Sequence, residues 1–226
     1  MRRIFLFLFL FGITLSFAEK RSYSAPDFKE IEASVRDFDS QFYYPRLMKC
    51  FAAEDTTMTA AELTHLYYGY TFQEDYDPYR DVKYHTKDID DLYNKDTHTP
   101  AECDTIIKYA RRVLADFPFE FRQMKLMAYA YKTKGDEKAS ELWTARTRQL
   151  LNVILKTGDG LTPESAWYVI SSIHEYDVIY CLGLNPTGYT FVEPMYDFID
   201  VSGSPDKTEG YYFNVSRMLK EYFRKQ

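Results

Sequence analysis

From residue 26 to about residue 160, apolar residues recur at three- and four-residue intervals; beyond that they fall into shorter, partly alternating runs. Pro26 is placed to open a first helix, with Phe28, Ile31, Val35 and Phe38 on one face. Pro45 opens a second, carrying Leu47, Met48 and Phe51 up to the acidic break at Glu54-Asp55. Thr59-Ala60-Ala61-Glu62 is a capping box, in which hydroxyl and carboxylate each take a backbone N–H that the helix start leaves free. Leu63, Leu66, Tyr67 and Tyr70 follow at i, i+3, i+4 and i+7, the spacing of a buried stripe, and Gly69 is placed to let a neighbouring helix come close. Asp77-Pro78 stops this element, and residues 80–98 are polar, with a short helix expected around Ile89 to Tyr93. A second capping box, Thr99-Pro100-Ala101-Glu102, starts an amphipathic helix ending at Phe117-Pro118. Helices are then expected from about Glu120 to Lys134 and from about Glu137 to Lys156, joined by Gly135-Asp136 and closed by Gly158-Asp159-Gly160.

After residue 160 the pattern changes. Trp167 to Ser172 is rich in β-formers and alternates weakly, leaving strand and helix both open. His174 to Leu182 reads as a short helix with Gly183 as its C-cap. Tyr196 to Val201 and Gly210 to Val215 read as strands joined by a polar turn, hence an antiparallel hairpin. Ser216 then caps a final helix whose Met218, Leu219, Tyr222 and Phe223 are placed to cover one face of the sheet. The expected fold is α+β and mainly helical: a helical part over 19–160, then a small antiparallel sheet with helices over 161–226.

Residues 1–18 stand outside that domain. Arg2 and Arg3 precede an apolar run from Ile4 to Phe17, and Ser16-Phe17-Ala18 supplies small residues before a cut, the arrangement of a secretory signal peptide. The run falls short of the roughly 20 apolar residues of a membrane span. The expected location is the periplasm or the exterior, with no span in the mature chain. Cleavage would remove both arginines and no acid, taking the formal charge from −6 to −8. That balance opposes nucleic-acid binding, which clustered Lys and Arg drive through counterion release. Cys50, Cys103 and Cys181 are too few and too widely spaced for a disulfide framework. Each sits among apolar neighbours at helical spacing, which favours a buried thiol over a bridge.

Ala128-Tyr129-Ala130-Tyr131, Gly135-Asp136-Glu137-Lys138-Ala139 and Trp143 together resemble the heart of a tetratricopeptide repeat, with Arg146 standing where that repeat has a small residue. At most one and a half repeats are present, so the resemblance implies a repeat-like hairpin inside a globular domain. On a larger scale, Tyr68-Gly-Tyr-Thr-Phe-Gln-Glu-Asp-Tyr-Asp-Pro-Tyr79, Thr157 to Ala166, His174-Glu175-Tyr176 and Glu209 to Ser216 resemble the domain-of-unknown-function family numbered 4919. The resemblance covers nearly the whole mature chain. It implies an exported protein of a Gram-negative bacterium with helices before the sheet, and it brings no catalytic residues.

The candidate chemistry is sparse. The cysteines lie on apolar faces, whereas a reactive thiolate needs an exposed electropositive setting, and there is no Gly-x-Ser-x-Gly. Of the four histidines, His65, His85, His98 and His174, His65 sits at i+3 from Glu62 on one helix and could give two ligands with it, but zinc needs three or four and His-Glu-x-x-His is absent. Glu74, Asp75 and Asp77 lack the spacing of a calcium loop. Gly158-Asp159-Gly160 does not follow a strand as a phosphate loop does. Asp55-Thr56-Thr57 and Asn214-Val215-Ser216 match glycosylation acceptors in form, but a polar turn and a strand explain them. No cofactor and no metal are therefore expected. His174 and Glu175 remain as an acid–base candidate, because imidazole titrates near neutrality, although a glutamate in a first helical turn is also favoured by the helix dipole. The chain has 21 Tyr and 17 Phe, which must serve mostly as core; off the stripe, Tyr68, Phe72, Tyr76 and Tyr79 are the candidate ligand surface. The resulting expectation is an exported, non-enzymatic protein that binds a protein, peptide or glycan in a groove between helices and sheet. The alternative is a hydrolase-like enzyme using His174 and nearby carboxylates.

Overall fold

The structure, a computed structural model, describes residues 23–80 and 87–225; the expected signal peptide and His85 lie outside the described residues. Helix α1 spans Phe28–Arg36, but Asp27 starts it rather than Pro26: its carboxylate accepts the Lys29 and Glu30 N–H groups, as an N-cap does. Ile31 and Val35 face inward, whereas Phe38 lies past the helix end and is exposed. Helix α2 is Tyr44–Ala52 with Pro45 in its first turn. Helix α3, Ala60–Gly69, carries the expected capping box at Thr59 and Glu62 and runs into a 3-10 turn at Tyr70–Phe72. Gly69 does admit a close neighbour: a Cβ there would lie 2.7 Å from Val35 Cγ1 of α1. Helices α4 (Lys87–Tyr93), α5 (Pro100–Asp116), α6 (Phe121–Thr133) and α7 (Glu137–Leu155) follow. Thr99 and Glu102 cap α5 reciprocally, and Asp136 caps α7 through the Ala139 N–H. α5 packs on α6 and α6 on α7, so these three form consecutive helical hairpins.

The second part holds strand β1 (Trp167–Tyr168), helix α8 (Ser172–Cys181), strands β2 (Asn185–Val192), β3 (Tyr196–Ser202) and β4 (Gly210–Asn214), and helix α9 (Ser216–Arg224). The hairpin of β3 and β4 forms as expected, with Asp197 opposite Phe213 and Ile199 opposite Tyr211. The sheet order is β1-β4-β3-β2, and β1 runs parallel to β4, so the sheet is mixed rather than antiparallel. The antiparallel expectation fails because β1 is separated from its partner by α8 and two strands, and pairing at that range leaves no local signal. Strand β2 was unforeseen: Asn185-Pro186-Thr187-Gly188 has the composition of a turn. It is an edge strand, where a proline removes no essential ladder bond.

The Gly158-Asp159-Gly160 stretch is more than a helix stop. Gly160 N donates to Ser165 O at 2.8 Å, Tyr212 N of β4 donates to Gly160 O at 2.7 Å, and Trp167 Nε1 donates to Gly158 O at 2.9 Å. The loop thereby ties the end of α7 to the sheet. The final helix also departs from expectation. Met218 is buried and Leu219 half-buried, but Tyr222 and Phe223 are exposed. α9 is held instead by polar contacts to the segment after α3: Arg217 Nε and Nη2 donate to the Thr71 hydroxyl and carbonyl at 3.1 and 3.0 Å, and Lys225 Nζ to Tyr76 O at 3.0 Å.

One apolar cluster runs from Ile31 in α1 to Met218 in α9, and tyrosine is a main component of it. Tyr67, Tyr68, Tyr70 and Tyr76 are all buried, as the stripe requires and beyond it. The three cysteines are unpaired, with Cys103 buried and Cys50 and Cys181 half-buried. Because a Cβ at Gly158 would sit 1.8 Å from the Ser165 carbonyl oxygen, Gly158→Ala is expected to lower the unfolding free energy by about 2 kcal/mol or more; urea denaturation followed by circular dichroism checks this.

Candidate functional site

His174 is placed by the first turn of α8, and it is 0% exposed. Its Nε2 lies 3.0 Å from the Phe119 carbonyl and its Nδ1 2.7 Å from the Tyr67 hydroxyl. A carbonyl only accepts, so Nε2 carries the proton and Nδ1 accepts from Tyr67. Phe117 stacks on the imidazole at 5.6 Å and Phe121 meets it edge-on at 4.9 Å. Burial pushes the imidazole down to about 3. This histidine is neutral, sealed and fully partnered, and it joins α3, the connection between α5 and α6, and α8. The residue proposed as an acid–base group from sequence is a structural joint.

Glu175 is not brought together with His174. One residue further round α8, it lies beside Asp197 of β3, close enough for each carboxyl group to shift the other's acidity. Both are buried, at 1% and 5% exposure. No donor of the described residues reaches Glu175 Oε1. Two carboxylates offer only acceptors, so the pair is satisfied when one of them holds a proton. Burial first, then the Asp197 charge, raises Glu175 well above the ordinary carboxylate range, and burial raises Asp197 too. The sequence did carry a signal for Asp197. It shares strand parity with Ile199 and Val201, so it is an acid on the apolar face. Glu175 likewise shares a helical stripe with Val178, Ile179 and Leu182.

Tyrosines surround this pair. Tyr189 of β2 donates to Asp197 Oδ1 at 3.1 Å. Tyr79 and Tyr176 lie close enough to feel both carboxyls, and burial and these acids raise their hydroxyls above the usual phenol value. Tyr222 of α9 meets the Tyr79 ring edge-on at 6.2 Å. Tyr79, Tyr176, Tyr189 and Tyr222 are 37–55% exposed, so their faces are open. Tyr79 also lines a cavity of about 290 Å³ with Arg80, Tyr93, Tyr109, Arg122 and Gln123. There Arg80 Nη1 holds Asp116 Oδ1 at 2.7 Å, and Tyr93 donates to Gln123 Oε1 at 3.0 Å.

Of the four aromatic residues picked as a candidate ligand surface, Tyr79 is the exposed one. Tyr68 is 0% exposed and donates to Tyr168 O at 3.1 Å; Tyr76 is 1% exposed and donates to Ile170 O at 2.9 Å. Both positions lie off the apolar stripe yet are covered, because β1 and the residues after it lie against that side of the segment. Phe72 is half-buried under the Arg217 guanidinium, 4.2 Å from the ring centre. Tyr176, Tyr189, Tyr222 and Asp197 were missed, since their proximity depends on α8, β2 and α9 converging.

The other candidates have local partners. Glu62 completes the α3 cap, and His65 bonds Ala61 O at 2.8 Å and Glu30 Oε2 at 3.1 Å. His98 lies between the Tyr129 hydroxyl and Leu92 O. Asp159 accepts from Leu161 N and Ser165 Oγ within its own loop. Asp55 is held by Thr57, Asp77 accepts from Tyr79 N, and Asn214 is buried with its Oδ1 on Ser216 N. Among the described residues no group of three or more His, Cys, Asp or Glu converges as a metal site. No helix among them is long and apolar enough to cross a membrane.

Two pH effects follow, of opposite sign. The folded imidazole of His174 stays neutral down to about 3. The unfolded chain protonates near pH 6.5, so this group costs stability as pH falls below that value, at about 1.4 kcal/mol per pH unit. Glu175 keeps its proton when folded and ionises when unfolded, so it costs stability as pH rises above the ordinary carboxylate range. Glu175→Gln is therefore expected to raise Tm at pH 7 and to lose that gain near pH 4. Tyr67→Phe, which leaves His174 Nδ1 unpartnered, is expected to cost about 1–3 kcal/mol. Thermal melts between pH 4 and pH 8 check both.

No curated protein and no solved structure matches this chain. The model of a family described as a domain of unknown function, DUF4919, matches residues 29–224. With the match covering nearly all of the fold described above, the chain belongs to the DUF4919 family.

Proposed function

We propose that this protein is an exported binding protein of a Gram-negative bacterium, acting in the periplasm or outside the cell. Its α6–α7 hairpin is read as tetratricopeptide-like and as scaffold rather than binding groove. The binding surface is the face where α8, β2, α9 and the Tyr79 segment meet. The observation that carries this reading is the set of open tyrosine faces at Tyr79, Tyr176, Tyr189 and Tyr222, continuous with the cavity beside Tyr79. Aromatic faces with a polar tip suit ligands that alternate apolar and hydroxyl surface, which favours a glycan over a protein or peptide. The buried Glu175–Asp197 pair fixes Tyr189 from below through the bond to Asp197.

A second reading, a hydrolase, is favoured by one observation: two adjacent buried carboxyl groups, both raised above the ordinary carboxylate range. His174 takes no part in it, being sealed in the core. Asp197 would then be the reacting group, with Glu175 as the proton donor.

A glycan array and a pull-down from periplasmic extract, each with the mature protein, test the binding reading. Glycan capture is expected, with Tyr79→Ala and Tyr189→Ala each weakening it by about 1 kcal/mol or more while the fold is kept. An empty array overturns the preference for glycans, and empty results from both overturn the binding reading. Turnover of a glycosidic or peptide substrate that is abolished in Asp197→Asn would replace it with the second.

A further inference from the structure

Arg146 is the residue that breaks the small-residue pattern of α7. It lies on the inward stripe of that helix with Trp143, Thr147, Leu150, Val153 and Ile154. It is 5% exposed, and its Nη2 donates to Phe51 O at 2.7 Å. Nε and Nη1 are buried with no hydrogen-bond partner among the described residues. The guanidinium lies 3.9 Å over the Phe51 ring and 5.1 Å from Trp143, so aromatic faces supply part of what water would give. Burying a cation with two unmet donors is still costly, and it is ordinarily offset by an anion.

The surroundings offer a place for one. Arg146 lines a pocket of about 270 Å³ between α2, α5 and α7, whose apolar walls include Phe51, Leu114, Pro118 and Trp143. Arg111 and Glu54 also line it. Arg111 holds Glu54 Oε1 at 3.3 Å and the Tyr131 hydroxyl at 3.0 Å. The pocket lining thus holds two guanidinium groups and one carboxylate, and the excess charge sits beside apolar wall. We propose that this pocket binds a carboxylate carried on a small apolar body, the anion taken by Arg146 and Arg111 and the body by Leu114, Pro118 and Trp143. The volume lies just below the range of ligand pockets, roughly 300–1,000 Å³, which suits a body about the size of one large side chain. The group is either a free organic acid or the C-terminal residue of a peptide. The site shares no residue with the tyrosine face and does not depend on the function proposed for that face.

Titration calorimetry on the full chain tests this with 3-phenylpropionate, its amide, and an acetylated tripeptide ending in Phe as free acid or as C-terminal amide. At least one acid is expected to bind with a Kd of about 1 mM or tighter, and its amide about tenfold or more weaker, since a charged hydrogen bond is lost. Tighter binding of the peptide acid marks a chain end as the source of the carboxylate; tighter binding of phenylpropionate marks a free acid. Arg146→Met is expected to fold at least as well as the parent and to lose the preference for acids. Ala115→Trp, at an exposed rim position, blocks the pocket and abolishes binding even if Arg146→Met fails to fold. Glu54→Gln removes the competing carboxylate and tightens acid binding. Equal binding of acids and amides, no binding of either acid, or acid binding that survives both Arg146→Met and Ala115→Trp overturns the proposal.

Discussion

The Tyr67 hydroxyl at 2.7 Å from His174 Nδ1 joins the two parts of this chain through the middle of the core. It belongs to a set of bonds in which side chains from the α3 segment satisfy the backbone around residues 168–171. Tyr68 donates to Tyr168 O and Tyr76 to Ile170 O. That stretch leaves strand β1 after two residues, so much of its backbone has no ladder to complete. Buried backbone groups without partners are costly, and the tyrosines supply them while filling the core with their rings. A Leu- or Phe-rich helix in the same place would leave those carbonyls unmet. The abundance of tyrosine is thus explained in this region by need for an apolar body with a polar tip.

The same logic divides the polar residues of α8. His174 faces the helical side and is closed by Tyr67 and Phe119. Glu175 faces the sheet and meets Asp197. Adjacent positions on one helix therefore serve different ends: the first locks the two parts together, and the second supports the open tyrosine surface. Arg146 presents a different case, a buried charge beside the Phe51 and Trp143 rings with two donors unmet among the described residues. Such a group burdens the fold, because burial strips water from its charge.

Local physical chemistry determined much of the architecture. The capping boxes at Thr59 and Thr99, the proline at the start of α2 and the β3–β4 hairpin are decided by residues close in sequence, so they were legible. Even the close approach at Gly69 followed from a missing side chain on a periodic helix. Other features needed the whole chain. The parallel pairing of β1 with β4 joins residues 46 positions apart in register, and no local pattern encodes it. The burial of Tyr68 and Tyr76 and the turn of α9 toward Thr71 and Tyr76 depend on which neighbours arrive to cover them. The meeting of Glu175 with Asp197 is of the same kind: each acid showed as out of place on an apolar face, but only the packing of α8 on the sheet made them a pair. Periodicity fixes which side of an element is apolar; it does not say what that side will touch, because contact energies are collected only after distant segments have come together.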